Sequence, residues 1–113
     1  MKVDQLNSLS PKLVRDSQAF GALLARLRVA RRIKQADAAL RAGLSRNTAY
    51  RLEKGDPGVA LGQVLRYLDA IAPGSTLLDL LQESDPALLA LQAREQTRRV
   101  RDLSAAELAA LDF

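Results

Sequence analysis

The sequence predicts an all-α protein made of short helices, and three observations predict it. Ala, Leu and Arg dominate the 113 residues, while aromatic residues make up only 4%, and these are strong helix formers. A β-sandwich draws on more Val, Ile, Thr and aromatic residues than this chain has. Apolar residues recur at three- and four-residue spacing, and Gly or Pro interrupts the pattern at intervals that suit short helices.

Taken in order, residues 1–16 read as an N-terminal arm, in which Ser10-Pro11 suits the start of a short helix. Ser17 suits the cap of a first firm helix over 18–32, with Phe20, Leu23, Leu24, Leu27 and then Val29 or Ala30 on its apolar side. A second helix is expected from Gln35 to Ala42, ended by Gly43. Leu44 leads into Ser45, which suits the cap of a third helix over 46–54. Gly55 closes that helix, and Asp56-Pro57-Gly58 is a turn. A fourth helix over 60–72 carries Leu61, Val64, Leu65, Leu68 and Ile71 on one side, expected as core. Pro73-Gly74 breaks it, and Ser75 or Thr76 opens a short fifth helix through Leu77, Leu78, Leu80 and Leu81, also expected as core. These five helices define a domain over 17–82.

Residues 83–113 form a helical tail of different character, suited to dimerisation, to binding a partner protein, or to serving as a simple extension. A helix is expected over 86–101, followed by a capping box at Ser104 and Glu107 before the short run Leu108–Leu111. The apolar end, Leu108, Leu111 and Phe113, suits either docking into a partner's groove or packing back on its own domain.

The charge is unevenly spread. The net charge is +4, but residues 19–55 alone carry +7, from nine Lys and Arg against Asp37 and Glu53. Residues 75–113 carry −3. A concentrated basic face attracts phosphate backbones, although a solvated Arg-rich helix surface has the same composition. Nothing local explains why acidic charge gathers in the tail.

The chain has no Cys and no His. Zinc fingers, thiol nucleophiles and imidazole bases are thereby excluded. There is no P-loop and no glycine-rich dinucleotide pattern, and no pair of carboxylates stands in an apolar setting. No catalytic residue, metal site or cofactor is therefore expected, and the chain does not read as an enzyme. The polar start MKVDQLNSLSPKLV is unlike a signal peptide, and no apolar run approaches the roughly 20 residues that span a bilayer. A soluble, cytoplasmic protein with no membrane association is expected.

The informative stretch is QADAALRAGLSRNTAYRLEKG, residues 35–55. Two short helices meet at a tight glycine turn, with Ala38 and Ala39 where they must approach closely. Leu40, Leu44, Ala49 and Leu52 are expected to bury between them. The first turns of the second helix then present Arg46 and Asn47, and one turn on Tyr50 and Arg51. Arg pairs bidentately with guanine and Asn with adenine, and the start of a recognition helix is what reaches base edges. Gln35 opens the preceding helix, where a backbone N–H and an amide suit a phosphate. Glu53, a helix-end acid among cations, is expected to pair with an arginine such as Arg28. Tyr50 suits either the core or a phosphate.

The segment resembles the helix-turn-helix of the Xre/Cro family of phage repressors and small bacterial regulators. The resemblance rests on Gln35, Ala39, Gly43 and Leu52-Glu53-Lys54-Gly55. It extends outward through Phe20-Gly21, Leu24, Leu27-Arg28 and Ala30-Arg31, and through Leu65, Leu68, Ile71, Gly74, Leu77 and Leu80-Leu81. It covers about residues 17–82. Ala38 departs from it, standing where the family usually has a larger Leu. The resemblance implies a five-helix lambda-repressor-like DNA-binding bundle with a C-terminal helical extension. It implies base contacts at Arg46, Asn47 and Arg51. It places phosphate contacts at Gln35 and near Arg46, with Tyr50, Lys54 and Arg31 as further candidates.

The function expected is a sequence-specific regulator, a repressor binding double-stranded DNA at an inverted repeat as a homodimer. One alternative is an antitoxin that holds a toxin protein through residues 83–113 and represses its own operon. Another is a helical interaction module that does not read DNA; the +7 head and the polar third helix argue against it.

Overall fold

The structure is a computed structural model and describes residues 4–111. Its elements are α1 (Gln5–Ser8), α2 (Pro11–Ala30), α3 (Gln35–Ala42), α4 (Arg46–Glu53), α5 (Leu61–Ile71), α6 (Leu77–Leu81) and α7 (Pro86–Leu111). The described residues are helices and connections with no strand. None of these helices is long and apolar enough to cross a membrane.

The first long helix starts earlier than expected. Ser10 is its cap, with Oγ accepting the Leu13 N–H at 3.4 Å and Pro11 at the first helical position. Ser17 lies inside α2, and its hydroxyl donates to the Gly55 carbonyl instead. Both serines satisfy the local rule for a cap. The contact that decides between them comes from 38 residues away along the chain. The border expected at 16/17 therefore falls within α2.

α3 to α6 fall where the sequence places them, to within a residue. Gly43 takes the left-handed conformation, φ 69°, that a helix-ending glycine supplies. Around it the Leu44 N–H reaches back to the Ala39 carbonyl at 2.9 Å. Ser45 Oγ accepts the Thr48 N–H at 3.0 Å and opens α4.

The core joins Leu24 and Leu27 of α2, Ala38, Ala39 and Ala42 of α3, and Ala49 and Leu52 of α4. Val64, Tyr67, Leu68 and Ile71 of α5 with Ala72 at its end, Leu80 of α6 and Leu88 of α7 complete it. α3 contributes only alanines, so it approaches α4 and α5 closely. Leu40, expected between the helices, is 81% exposed. At about 100° per residue it points roughly 150° away from the Ala38-Ala39-Ala42 face. Leu61, Leu65, Leu78 and Leu81 are likewise exposed rather than core. On α5 the side facing the bundle is Val64, Tyr67, Leu68 and Ile71, with Leu65 about 100° from its centre.

α2 crosses the end of α4 at a pair of glycines. A Cβ on Gly21 would stand 2.7 Å from the Gly55 Cα and from the Leu52 carbonyl oxygen. Gly55 itself has φ 75° and presses on the backbone of Ser17 and Gln18. Only glycine fits on either side of this crossing.

The tail is one helix. α7 continues through Ser104, where a new capping box was expected. Asp85 caps α7, one carboxylate oxygen accepting the Ala87 N–H at 2.9 Å while the other accepts from Arg31 at the C-terminal cap of α2. Leu88 is fully buried, so the packed core runs past residue 82. Arg26 of α2 and Glu95 of α7 pair at 2.7 Å. Beyond Glu95 every position from Gln96 to Asp102 is exposed. Phe113 lies outside the described residues.

Candidate nucleic-acid interface

α4 is the helix whose outer surface carries the chemistry. Its inner face is Ala49 and Leu52, both buried. Arg46 and Asn47, in its first turn, are exposed, and among the described residues neither side chain has a hydrogen-bond or ion-pair partner. Ser45 spends its hydroxyl on capping. The first turn thus presents a guanidinium and a carboxamide to solvent at the positive end of the helix.

One turn on, Tyr50 is 52% exposed, not in the core. The Lys54 ammonium stands 5.4 Å from its ring centroid, within the range of a cation–π contact. Arg51 lies beside them with its Nε donating to the Asp56 carboxylate at 2.7 Å. Asp56 also accepts the Gly58 N–H at 2.8 Å. The Arg51 contact first, then the Gly58 N–H, hold the Asp56 carboxyl below its ordinary range.

The other end of the motif is anchored by Glu53, whose side chain is only 7% exposed. Its carboxylate accepts Arg28 Nε at 2.6 Å and Arg28 Nη2 at 2.9 Å, the Gln35 amide at 3.0 Å, and the Tyr67 hydroxyl. Arg28 Nη1 donates further to the Ile33 carbonyl at 2.8 Å. One carboxylate therefore ties α2, α3, α4 and α5 together. The hydrogen bond to Glu53 raises the Arg28 pKa against the opposing effect of burial. Burial first, and then Glu53, push the Tyr67 hydroxyl well above the ordinary tyrosine range.

This geometry sorts the residues expected from the sequence. Arg46, Asn47, Tyr50, Arg51 and Lys54 share α4 and its end. Gln35 opens α3 as expected, but its side-chain amide turns inward to Glu53. Its backbone stands at a helix start that no side chain caps. Arg31 is held by Asp85 and joins α2 to α7. The Arg28–Glu53 pair is present as expected.

Three participants were not foreseen. Tyr67 reads as one more polar-aromatic residue within an apolar stripe, yet it is fully buried and its hydroxyl completes the Glu53 cluster. Arg66 of α5 brings Nη1 within 3.6 Å of the position a Cβ would take on Gly43, adding a cation at the turn of the motif. Asp56 reads as a turn residue, and only the fold shows that it faces Arg51. A carboxylate five residues after an arginine is a weak signal in any sequence.

Residues 19–81 match a family model described as a helix-turn-helix domain. No curated protein and no solved structure matches the chain.

Proposed function

Since the chain belongs to the helix-turn-helix domain family, we propose that it is a sequence-specific transcriptional regulator of the Xre/Cro type. In this reading it is a cytoplasmic repressor that binds an inverted repeat as a homodimer. The observation that carries the reading is the first turn of α4. Arg46 and Asn47 stand there exposed and unpartnered among the described residues, on a helix whose far end is anchored by Glu53.

A DNA-binding function gives these side chains roles. Arg46, Asn47 and Arg51 face base edges in the major groove, where Arg matches guanine and Asn matches adenine. Tyr50 and Lys54 meet phosphates, as do the backbone N–H groups at the start of α3 beside Gln35. A two-fold dimer sets two α4 helices about 34 Å apart, one turn of duplex.

The test is fluorescence-anisotropy titration of the full chain on duplexes tiling the DNA upstream of its own gene, with excess competitor DNA. Wild type is expected to bind one segment with strong salt dependence. Arg46→Ala combined with Arg51→Ala is expected to lose that preference while keeping the fold. Uniform weak binding to every segment, unchanged by the double substitution, refutes base readout by α4.

A second reading adds a partner. In it the chain is an antitoxin whose tail, 83–113, holds a toxin protein while the head represses the operon. The unbroken exposure of α7 from Gln96 to Asp102 favours it, because a helix with no neighbour is free to be covered. Since α7 up to Glu95 is already packed on α2, that partner would bind the distal part. A co-transcribed gene whose product co-purifies with the full chain, and not with a chain ending at residue 95, supports this reading; its absence removes it.

A further inference from the structure

If Arg51 reads a base, as the reading above requires, something must hold its long side chain in place. We infer that Asp56 is a positioning residue that fixes the Arg51 guanidinium for base readout and so sets the sequence preference of the recognition helix.

Several observations support this. The contact uses Arg51 Nε, 2.7 Å from Asp56 Oδ2. Among the described residues no acceptor engages the two terminal nitrogens of Arg51, and those two suffice for a bidentate contact to guanine O6 and N7. Asp56 is itself fixed. Its Oδ1 accepts the Gly58 N–H at 2.8 Å, and its own N–H reaches the Arg51 carbonyl at 3.0 Å. The turn that carries it cannot drift, because Gly55 is pressed against the backbone of α2. The arginine is thus attached to a rigid support at its Nε and is free at its tip.

Two consequences follow for binding. A held guanidinium loses less side-chain freedom when it docks, which favours the matched site. A carboxylate beside it weakens attraction to phosphates of any sequence, at matched and unmatched sites alike. The first effect raises the ratio of specific to non-specific affinity, and the second lowers both affinities together.

Asp56→Asn isolates the contact, because the Asn side-chain oxygen still accepts the Gly58 N–H and keeps the turn. The probe is a random-sequence duplex library, from which wild type, Asp56→Asn, Arg51→Ala and the double variant are each put through selection. Each is then titrated on the wild-type consensus duplex and on a scrambled duplex of equal length at one salt concentration. Arg51→Ala is expected to lower the affinity ratio by roughly 10- to 100-fold and to erase the preference for one base pair. Asp56→Asn is expected to blur preference at that same base pair, lower the ratio by about five- to tenfold and tighten binding to the scrambled duplex. In the Arg51→Ala background it should not change the ratio. Asp56→Glu, which restores the charge, should recover part of the preference. If Asn at this position lowers the thermal midpoint below the assay temperature, Asp56→Ser gives the same comparison, since its hydroxyl also accepts from the Gly58 N–H.

If Arg51→Ala blurs one base pair and Asp56→Asn keeps the full wild-type preference there, the inference fails and the DNA-reading function stands. If wild type selects no sequence at all, the function itself fails and this inference with it.

Discussion

Glu53 is the point where the fold and the interface meet, and Glu53→Ala is the most informative single substitution. It removes the acceptor for two Arg28 nitrogens, the Gln35 amide and the Tyr67 hydroxyl. The Arg28 side chain, 16% exposed, is left with the Ile33 carbonyl as its one partner among the described residues. Removing one member of a buried ion pair costs about 3–5 kcal/mol, because the other charge stays buried without compensation. A chain of this length is stable by about 5–15 kcal/mol. The substitution therefore removes about a fifth or more of the total. At about 4 °C per kcal/mol the thermal midpoint falls by about 12–20 °C. The assay is urea and thermal unfolding followed by far-ultraviolet circular dichroism. A double-mutant cycle with Arg28→Met separates charge from packing. The double variant should be no less stable than Glu53→Ala alone, since removing the guanidinium removes the orphaned charge. A loss below about 1 kcal/mol for Glu53→Ala, or simple additivity of the two substitutions, refutes the argument that this carboxylate holds four helices together.

Three further outcomes test the packing. Gly21→Ala should destabilise by about 1–3 kcal/mol, because its Cβ would meet backbone that cannot yield. Gly62→Ala should stabilise by about 0.5–1 kcal/mol, since nothing lies within 4 Å of that position in α5; urea midpoints distinguish the two. Leu40→Gln should leave stability within about 0.5 kcal/mol, whereas Leu24→Ala should lose about 2–5 kcal/mol, a contrast that thermal melts read directly. In alkaline solution the raised Tyr67 pKa makes the folded state hold its proton where the unfolded chain, near the ordinary value of about 10, releases it. The resulting stability is complete below about pH 10 and declines as pH rises above it. Tyr67→Phe should flatten that decline, measured as urea midpoint against pH from 8 to 11.

What the sequence made legible was local chemistry. Gly43 and Ser45 each satisfy helix-end groups within a few residues, so the turn of the motif and the bounds of α3 and α4 follow from the chain alone. What escaped was decided across the fold. Ser10 and Ser17 are equal as caps until Gly55 claims the Ser17 hydroxyl. Leu40 looks like core by hydrophobicity, but α3 packs through its smallest residues and turns its leucine outward. Ser104 and Glu107 have the spacing of a capping box, yet α7 runs through them without a break. At the site, the residue types at Arg46, Asn47, Tyr50 and Lys54 were readable. The engagement of Gln35, Arg31 and Arg51 by carboxylates was not, because Glu53 and Asp85 reach Gln35 and Arg31 from other segments and a carboxylate five residues after Arg51 is a weak local signal.

Those carboxylates also account for the charge asymmetry of the chain. The four ion pairs among the described residues each join an arginine of the basic head to an acid. Two of the acids, Asp85 and Glu95, belong to the acidic tail, and they hold Arg31 at the cap of α2 and Arg26 within it. The tail's negative charge thus clips α7 onto the bundle, with Asp85 serving at once as helix cap and ion-pair partner. The acids do not neutralise the head evenly. Arg26 and Arg28 on α2 and Arg31 at its C-terminal cap are engaged, as is Arg51 at its Nε. Among the described residues Arg32, Lys34, Arg41, Arg46 and Lys54 have no carboxylate partner, and all five are exposed. They lie at the start of α3, at its last turn and at the two ends of α4. Ion pairing within the fold therefore engages the arginines at the C-terminal end of α2, and the cations of residues 19–55 left unpaired among the described residues lie around the helix-turn-helix. That is the distribution a phosphate backbone requires of a surface that binds it.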